Sequence, residues 1–112
     1  MRKIKTLKKN YEFQNVMKNG RFYIGKQITV YITKNKQGFN RFGIAISKKT
    51  CNAVKRNLIK RKIRENYRLI KDKLEKSYDI VFLWNKKLAV EQIDFHIIQK
   101  DMEKIFIKAG LL

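Results

Sequence analysis

Lys48-Lys49-Thr50-Cys51-Asn52-Ala53-Val54-Lys55-Arg56-Asn57-Leu58-Ile59-Lys60-Arg61-Lys62-Ile63-Arg64-Glu65 is the stretch on which the reading of this chain turns. Basic side chains crowd it, yet Ile59 and Ile63 start an apolar series that continues through Tyr67, Ile70 and Leu74. At about 100° per residue these five positions fall in one stripe. The spacing predicts a helix capped by Asn52, running to about Lys76, with its stripe turned to a core. Arg56, Asn57, Lys60, Arg61 and Arg64, followed by Arg68 and Lys71, fan out beside that stripe, so the positive charges collect on one flank as a rail.

The rest of the composition agrees with a cationic binder. The 112 residues hold 28 Lys and Arg against 9 Asp and Glu, a formal charge of +19. Solubility alone needs a net charge of roughly 2 to 8 in a small domain. An excess this large and one-signed calls for a polyanion, with nucleic acid favoured over an acidic membrane surface or an acidic protein. A hydrophobic content of 44% supports one modest core. Residues 1–112 are therefore expected to form a single RNA-binding domain, with residues 1–9 as a basic, mobile arm. One cysteine leaves no internal disulfide and suits a reducing compartment. No apolar run follows the basic start, and no window approaches the roughly 18 apolar residues of a membrane span. The expectation is a soluble, cytoplasmic protein with no membrane partner.

Outward from the basic helix, simple periodicities fill the chain. Upstream, residues 41–47 alternate with Phe42, Ile44 and Ile46 on one face, and residues 27–34 alternate with Ile28, Val30 and Ile32. Asn35-Lys36-Gln37-Gly38 lies between them as a turn signal, which predicts an antiparallel hairpin. Its second face carries Tyr31 and Arg41 among small and polar residues, a surface on which bases could stack. Before it, Asn10 is a candidate cap for a short helix through Phe13, Val16 and Met17, with Gly20 at a left-handed C-terminal cap. Downstream, Tyr78 to Trp84 is apolar almost throughout and predicts a strand buried on both faces. Asn85-Lys86-Lys87 breaks it. Asp94 then caps a last helix with Phe95, Ile98, Met102, Ile105 and Ala109 on one side and Gly110 at its end.

Catalytic chemistry finds no residues to carry it. There is one His and one Cys, so the only pairing conceivable for nucleophilic catalysis is Cys51 with His96, and two-Cys or two-His zinc sites are excluded. A phosphate-cradling glycine loop is absent. No catalytic residue and no metal site are expected; His96 and Trp84 read as structural.

At residues 48–65 the chain closely resembles the signature of the bacterial ribonuclease P protein subunit. Leu7-Lys8-Lys9-Asn10 leading to Phe13, then Gly20, then the strands ending in Ile46-Ser47-Lys48-Lys49, fit the same family in order and spacing. The resemblance implies an α+β fold, a single-domain α-β sandwich of the α-β-β-β-α-β-α type similar to ribosomal protein S5 domain 2. It also implies a left-handed βαβ crossover, where general rules favour a right-handed one. The function implied is that of a non-catalytic subunit of a ribonucleoprotein endonuclease. Its partners would be the ribonuclease P catalytic RNA and precursor tRNA, whose 5′ leader is removed by chemistry belonging to the RNA and its Mg²⁺. No cofactor held by the protein alone and no obligate protein partner are implied.

Carried over by position, Lys48, Lys49, Lys55, Arg56, Asn57, Lys60, Arg61 and Arg64 would lie against the catalytic RNA. Phe13, Met17 and Tyr31 would line a cleft for the single-stranded leader. The chain departs from the family pattern at Leu58, which replaces a third Arg, at Met17, where an aromatic is common, and at Cys51, which replaces a common Gly. If that last position requires positive φ, Cys51 is strained; otherwise it is packing. A structural RNA-binding protein of the ribosome is the alternative that shares the charge and the fold type.

Overall fold

Tyr78–Trp84 sends Ile80 and Phe82 to one side and Val81 and Leu83 to the other, so it is stable only inside a sheet covered on both faces. The computed structural model, which describes residues 5–85 and 88–112, places it there. The elements run α1 (Asn10–Asn19), β1 (Arg21–Ile24), β2 (Ile28–Lys34), β3 (Arg41–Ala45), α2 (Ala53–Ile70), β4 (Tyr78–Trp84) and α3 (Phe95–Ala109). The order is the expected α-β-β-β-α-β-α. Short 3₁₀ turns cover Lys71–Lys73 and Val90–Gln92.

The sheet order is β1-β2-β4-β3. This corrects the predicted β2–β3 hairpin: the two strands do not pair, because β4 lies between them. β4 runs antiparallel to β2, with Tyr31 opposite Val81, and parallel to β3, with Gly43 opposite Val81. A parallel pair needs a long crossover, and α2 is that crossover. The hairpin partner of β2 is β1, a four-residue strand too short to show a period.

One face of the sheet carries the main core. Ile28, Val30, Ile32, Phe42, Ile80 and Phe82 meet the α2 stripe Ile59, Ile63, Tyr67, Ile70 and Leu74, and α3 adds Ile98, Met102, Ile105 and Phe106. Phe42 stacks on Tyr67 with ring centroids 4.7 Å apart, and Phe82 meets both rings edge-on. Burial pushes the Tyr67 phenol up to about 12. The other face carries a smaller core of Leu7, Val16 and Val81, packed by Phe13, Tyr31, Ala45 and Leu83 under α1.

Helix ends follow local chemistry, with three corrections. Asn52 and Asp94 cap α2 and α3 as read, accepting from Lys55 N–H and from His96 and Ile97 N–H, and Gly110 closes α3 at φ 82°. Asn10, by contrast, is the first residue of α1; the Glu12 carboxylate reaches back to the N–H groups of Lys8 and Lys9 and caps it instead. Gly20 is extended, at φ −83°, and is needed for closeness: a Cβ there would stand 2.5 Å from Val16 O and 2.8 Å from Ile32 O. α2 ends at Ile70 rather than near Lys76, and the 3₁₀ turn that follows delivers Leu74 to the core.

Residues 5–7 do not stand off as an arm. Thr6 bridges Phe42, Leu7 N–H donates to Phe42 O, Phe42 N–H donates to Lys5 O, and Leu7 is buried. Residues 1–4 of the expected arm and Lys86-Lys87 of the expected break lie outside the described residues.

Candidate nucleic-acid interface

α1 lies over the middle strands β2 and β4 of its sheet face, and Gly43 shows how its side chains reach β3. A Cβ on Gly43 would lie 2.4 Å from Phe13 Cε1, so the glycine lets the Phe13 ring sit directly on the strand. Beside it Arg41 donates from Nε and Nη2 to the two Asp79 carboxylate oxygens (2.9 and 2.8 Å) and from Nη1 to Glu12 (2.9 Å). This fork ties α1 to β3 and β4, so Arg41 is spent on structure and is not the open base of that face. Glu12 is held below the usual glutamate range, first by the Lys9 and Lys8 N–H groups and then by Arg41. The same pairing raises the Arg41 guanidinium, with Asp79 the larger cause.

The β1 edge of the same face stays open. Phe22 lies opposite Tyr31 with ring centroids 5.6 Å apart, and Ile24 lies opposite Thr29. Phe22 is 58% and Ile24 70% exposed, large apolar groups left to solvent. Of the predicted cleft residues, Phe13 and Tyr31 pack around one small core, and Met17, 39% exposed, lies one helical turn beyond Phe13. Phe22 completes the surface and was not read from the sequence; its signal would have been a β1–β2 hairpin register placing it beside Tyr31.

The rail occupies the start of α2. The Arg56 guanidinium donates to Cys51 O (2.6 Å) and Lys48 O (3.3 Å), which folds the loop before the helix onto its first turn. Lys48 and Lys49 are exposed on that loop, which leaves β3 after Ala45, so the rail begins at the β3 edge of the sheet, and β1 with Phe22 is the opposite edge. Asn57, Arg61 and Arg64 are exposed and Lys60 is half-buried. Arg61 Nε is 3.9 Å from Glu65, a loose contact. Lys55 is paired with Glu91, which raises the lysine and lowers the glutamate through their shared hydrogen bond. That pair is exposed, so salt screens it and a phosphate can replace the carboxylate.

The remaining singled-out residues have structural surroundings. Trp84 is buried with Nε1 donating to Leu88 O, and His96 is exposed with its ring edge-on to Phe95. Cys51 packs half-buried against the main core, and Ser77 is the only non-glycine residue with positive φ among the described residues, so Cys51 carries no backbone strain. No described helix is long and apolar enough to cross a membrane.

Comparison with known proteins points one way. The family model described as Ribonuclease P matches residues 1–110. The chain is 40% identical over 109 residues to the ribonuclease P protein component of Fusobacterium nucleatum, covering 96% of this chain and 98% of that protein. It is 36% identical over 110 residues to the component of Thermoanaerobacter sp. (strain X514), covering 98% and 93%. Among solved structures, the Staphylococcus aureus RNase P protein superposes with a TM-score of 0.82 at 35% identity, over 97% of this chain and 98% of that one.

Proposed function

The chain belongs to the ribonuclease P protein family, and from that premise we propose that it binds the catalytic RNA through the α2 rail and the 5′ leader of precursor tRNA through the open sheet face. It acts in the cytoplasm as the protein subunit of the endoribonuclease that matures tRNA 5′ ends. Mg²⁺ supplied with the RNA carries the chemistry; the protein's own side chains bind and position.

The observation that carries the proposal is the presence of two surfaces of different kind on one small domain, one on α2 and its leading loop and one on the α1 face of the sheet. One is cationic, with Lys48, Lys49, Asn57, Lys60, Arg61 and Arg64 projecting from α2 and its leading loop, and suits phosphates. The other is apolar, aromatic and flat, and suits unpaired bases of any sequence at roughly 1 to 3 kcal/mol each. A subunit serving many leaders needs that tolerance. The relatives named above are ribonuclease P proteins and lend the ribosomal alternative no support.

The test mixes the protein with a bacterial ribonuclease P RNA and labelled precursor tRNA at low Mg²⁺. Cleavage is expected only with both components present. Precursor with a leader should bind the complex more tightly than leaderless tRNA, and equal affinity would sink the leader assignment.

A further inference from the structure

β1 is one of the two edge strands of the sheet, and its side chains point alternately to two different places. Phe22 and Ile24 face the open surface, whereas Tyr23, opposite Val30, faces the side on which α3 packs. Between β1 and α3 lies a groove of about 680 Å³, floored by Tyr23, Ile97 and Ile105. α3 sets Lys100, Lys104 and Lys108 along its rim. Residues four apart share a helix face and advance about 6 Å, so these lysines form a regular row. Lys26, in the β1–β2 turn, stands at the mouth.

Among the described residues none of these four lysines has a carboxylate within ion-pair distance. The one acid in the groove wall, Asp101, is buried and spent: it accepts from the N–H groups of Lys26, Gln27 and Ile28 at 2.9, 2.8 and 3.2 Å. The groove therefore combines an aromatic and aliphatic floor with a row of uncompensated cations. Single-stranded nucleic acid matches both parts, with bases for the floor and regularly repeating phosphates for the row.

Position decides between RNA and an acidic protein. Phe22 belongs to the open face and also lines this groove, so β1 is a narrow ridge with one surface on each side. A strand leaving the open face past Phe22 needs only to turn around that four-residue edge to enter the lysine row. We infer that the β1–α3 groove is a second single-stranded RNA site, holding leader nucleotides farther from the cleavage point than those on the open face. The inference rests on the leader reading proposed above.

Holoenzyme reconstituted with a Lys100→Ala, Lys104→Ala, Lys108→Ala protein tests it, since alanine preserves the helix. Affinity is measured for leaderless tRNA and for precursors with leaders of about 4 and about 16 nucleotides, the span of single-strand site sizes. A second triple variant, Lys34→Ala, Lys36→Ala, Lys76→Ala, removes equal charge from exposed positions elsewhere. The wild type should bind the long leader about tenfold more tightly than the short one, and the α3 variant should lose that increment with about 2 from its salt slope. The control set should keep the increment. A photoreactive uridine near the 5′ end of the long leader should crosslink to the α3 peptide.

An increment that survives in the α3 variant, or falls equally in both variants, overturns the inference. So does a glutamate-rich peptide whose binding the α3 variant abolishes while leader affinities stay unchanged; the groove would then be a protein-docking surface. If the wild type does not distinguish the short leader from no leader, the underlying leader reading has failed, and this inference falls with it.

Discussion

Arg41 lies on a face that the sequence presents as small and polar, and its guanidinium there joins three elements through three hydrogen bonds. Arg41→Met would leave Asp79, 5% exposed at its side chain, with Asn35 as its remaining side-chain donor. Breaking one side of such a pair should cost about 3 kcal/mol in urea melts. Glu12 adds a pH dependence. Its folded pKa is depressed, so its contribution is whole above the ordinary glutamate range and disappears as pH falls through the folded value. The stability gap between wild type and Glu12→Gln should accordingly narrow as pH falls from neutrality through and below the ordinary glutamate range. Gly43→Ala should push the Phe13 ring off β3, lowering stability by about 1 to 3 kcal/mol and weakening leader affinity while leaving the salt slope of the rail unchanged.

At the scale of elements, α2 divides its labour by face, and the two faces answer to different measurements. Replacing Lys60 and Arg64 should lower the salt slope of RNA binding by roughly 0.7 to 0.9 per lost phosphate contact. Arg56→Ala should cost more affinity than its one charge predicts, because it also releases the Lys48 and Cys51 carbonyls and the loop that displays Lys48 and Lys49. An unchanged slope in the Lys60 and Arg64 variant would make the rail ordinary solvated surface. The α2 stripe, the Asn52 and Asp94 caps, the Gly110 stop and the doubly buried β4 were all legible in the sequence, since each is written within a few neighbouring residues. Strand partnership was not. β2 and β3 alternate convincingly and flank a turn signal, but nothing local says that a strand 33 positions beyond Ala45 will come between them. The cleft suffered from the same blindness: Tyr31 was found from alternation, while Phe22 depends on a hairpin that the four residues of β1 do not announce. The hand of the crossover came with the family resemblance alone.

For the whole molecule, +19 on 112 residues is a standing repulsion that the fold must overcome. Anions that occupy the native rail should raise stability by mass action. The melting temperature should climb with added sulfate beyond its value in chloride at matched ionic strength, and an unchanged temperature would reject the idea. The insertion of β4 bears on something else, the moment at which this protein can begin to exist. While the chain is being synthesised, everything up to Ser77 emerges without the strand to which β2 and β3 must both attach. What can form by then is a two-stranded β1–β2 hairpin, marginal by itself, and a helix whose apolar stripe has no sheet to rest on. The decisive contacts join distant parts of the chain and must close a long loop first, which makes folding slow and late. Messages truncated before Tyr78 should therefore yield a basic, sticky fragment and no domain, and a complete chain should acquire its RNA-binding shape only as its last third is delivered.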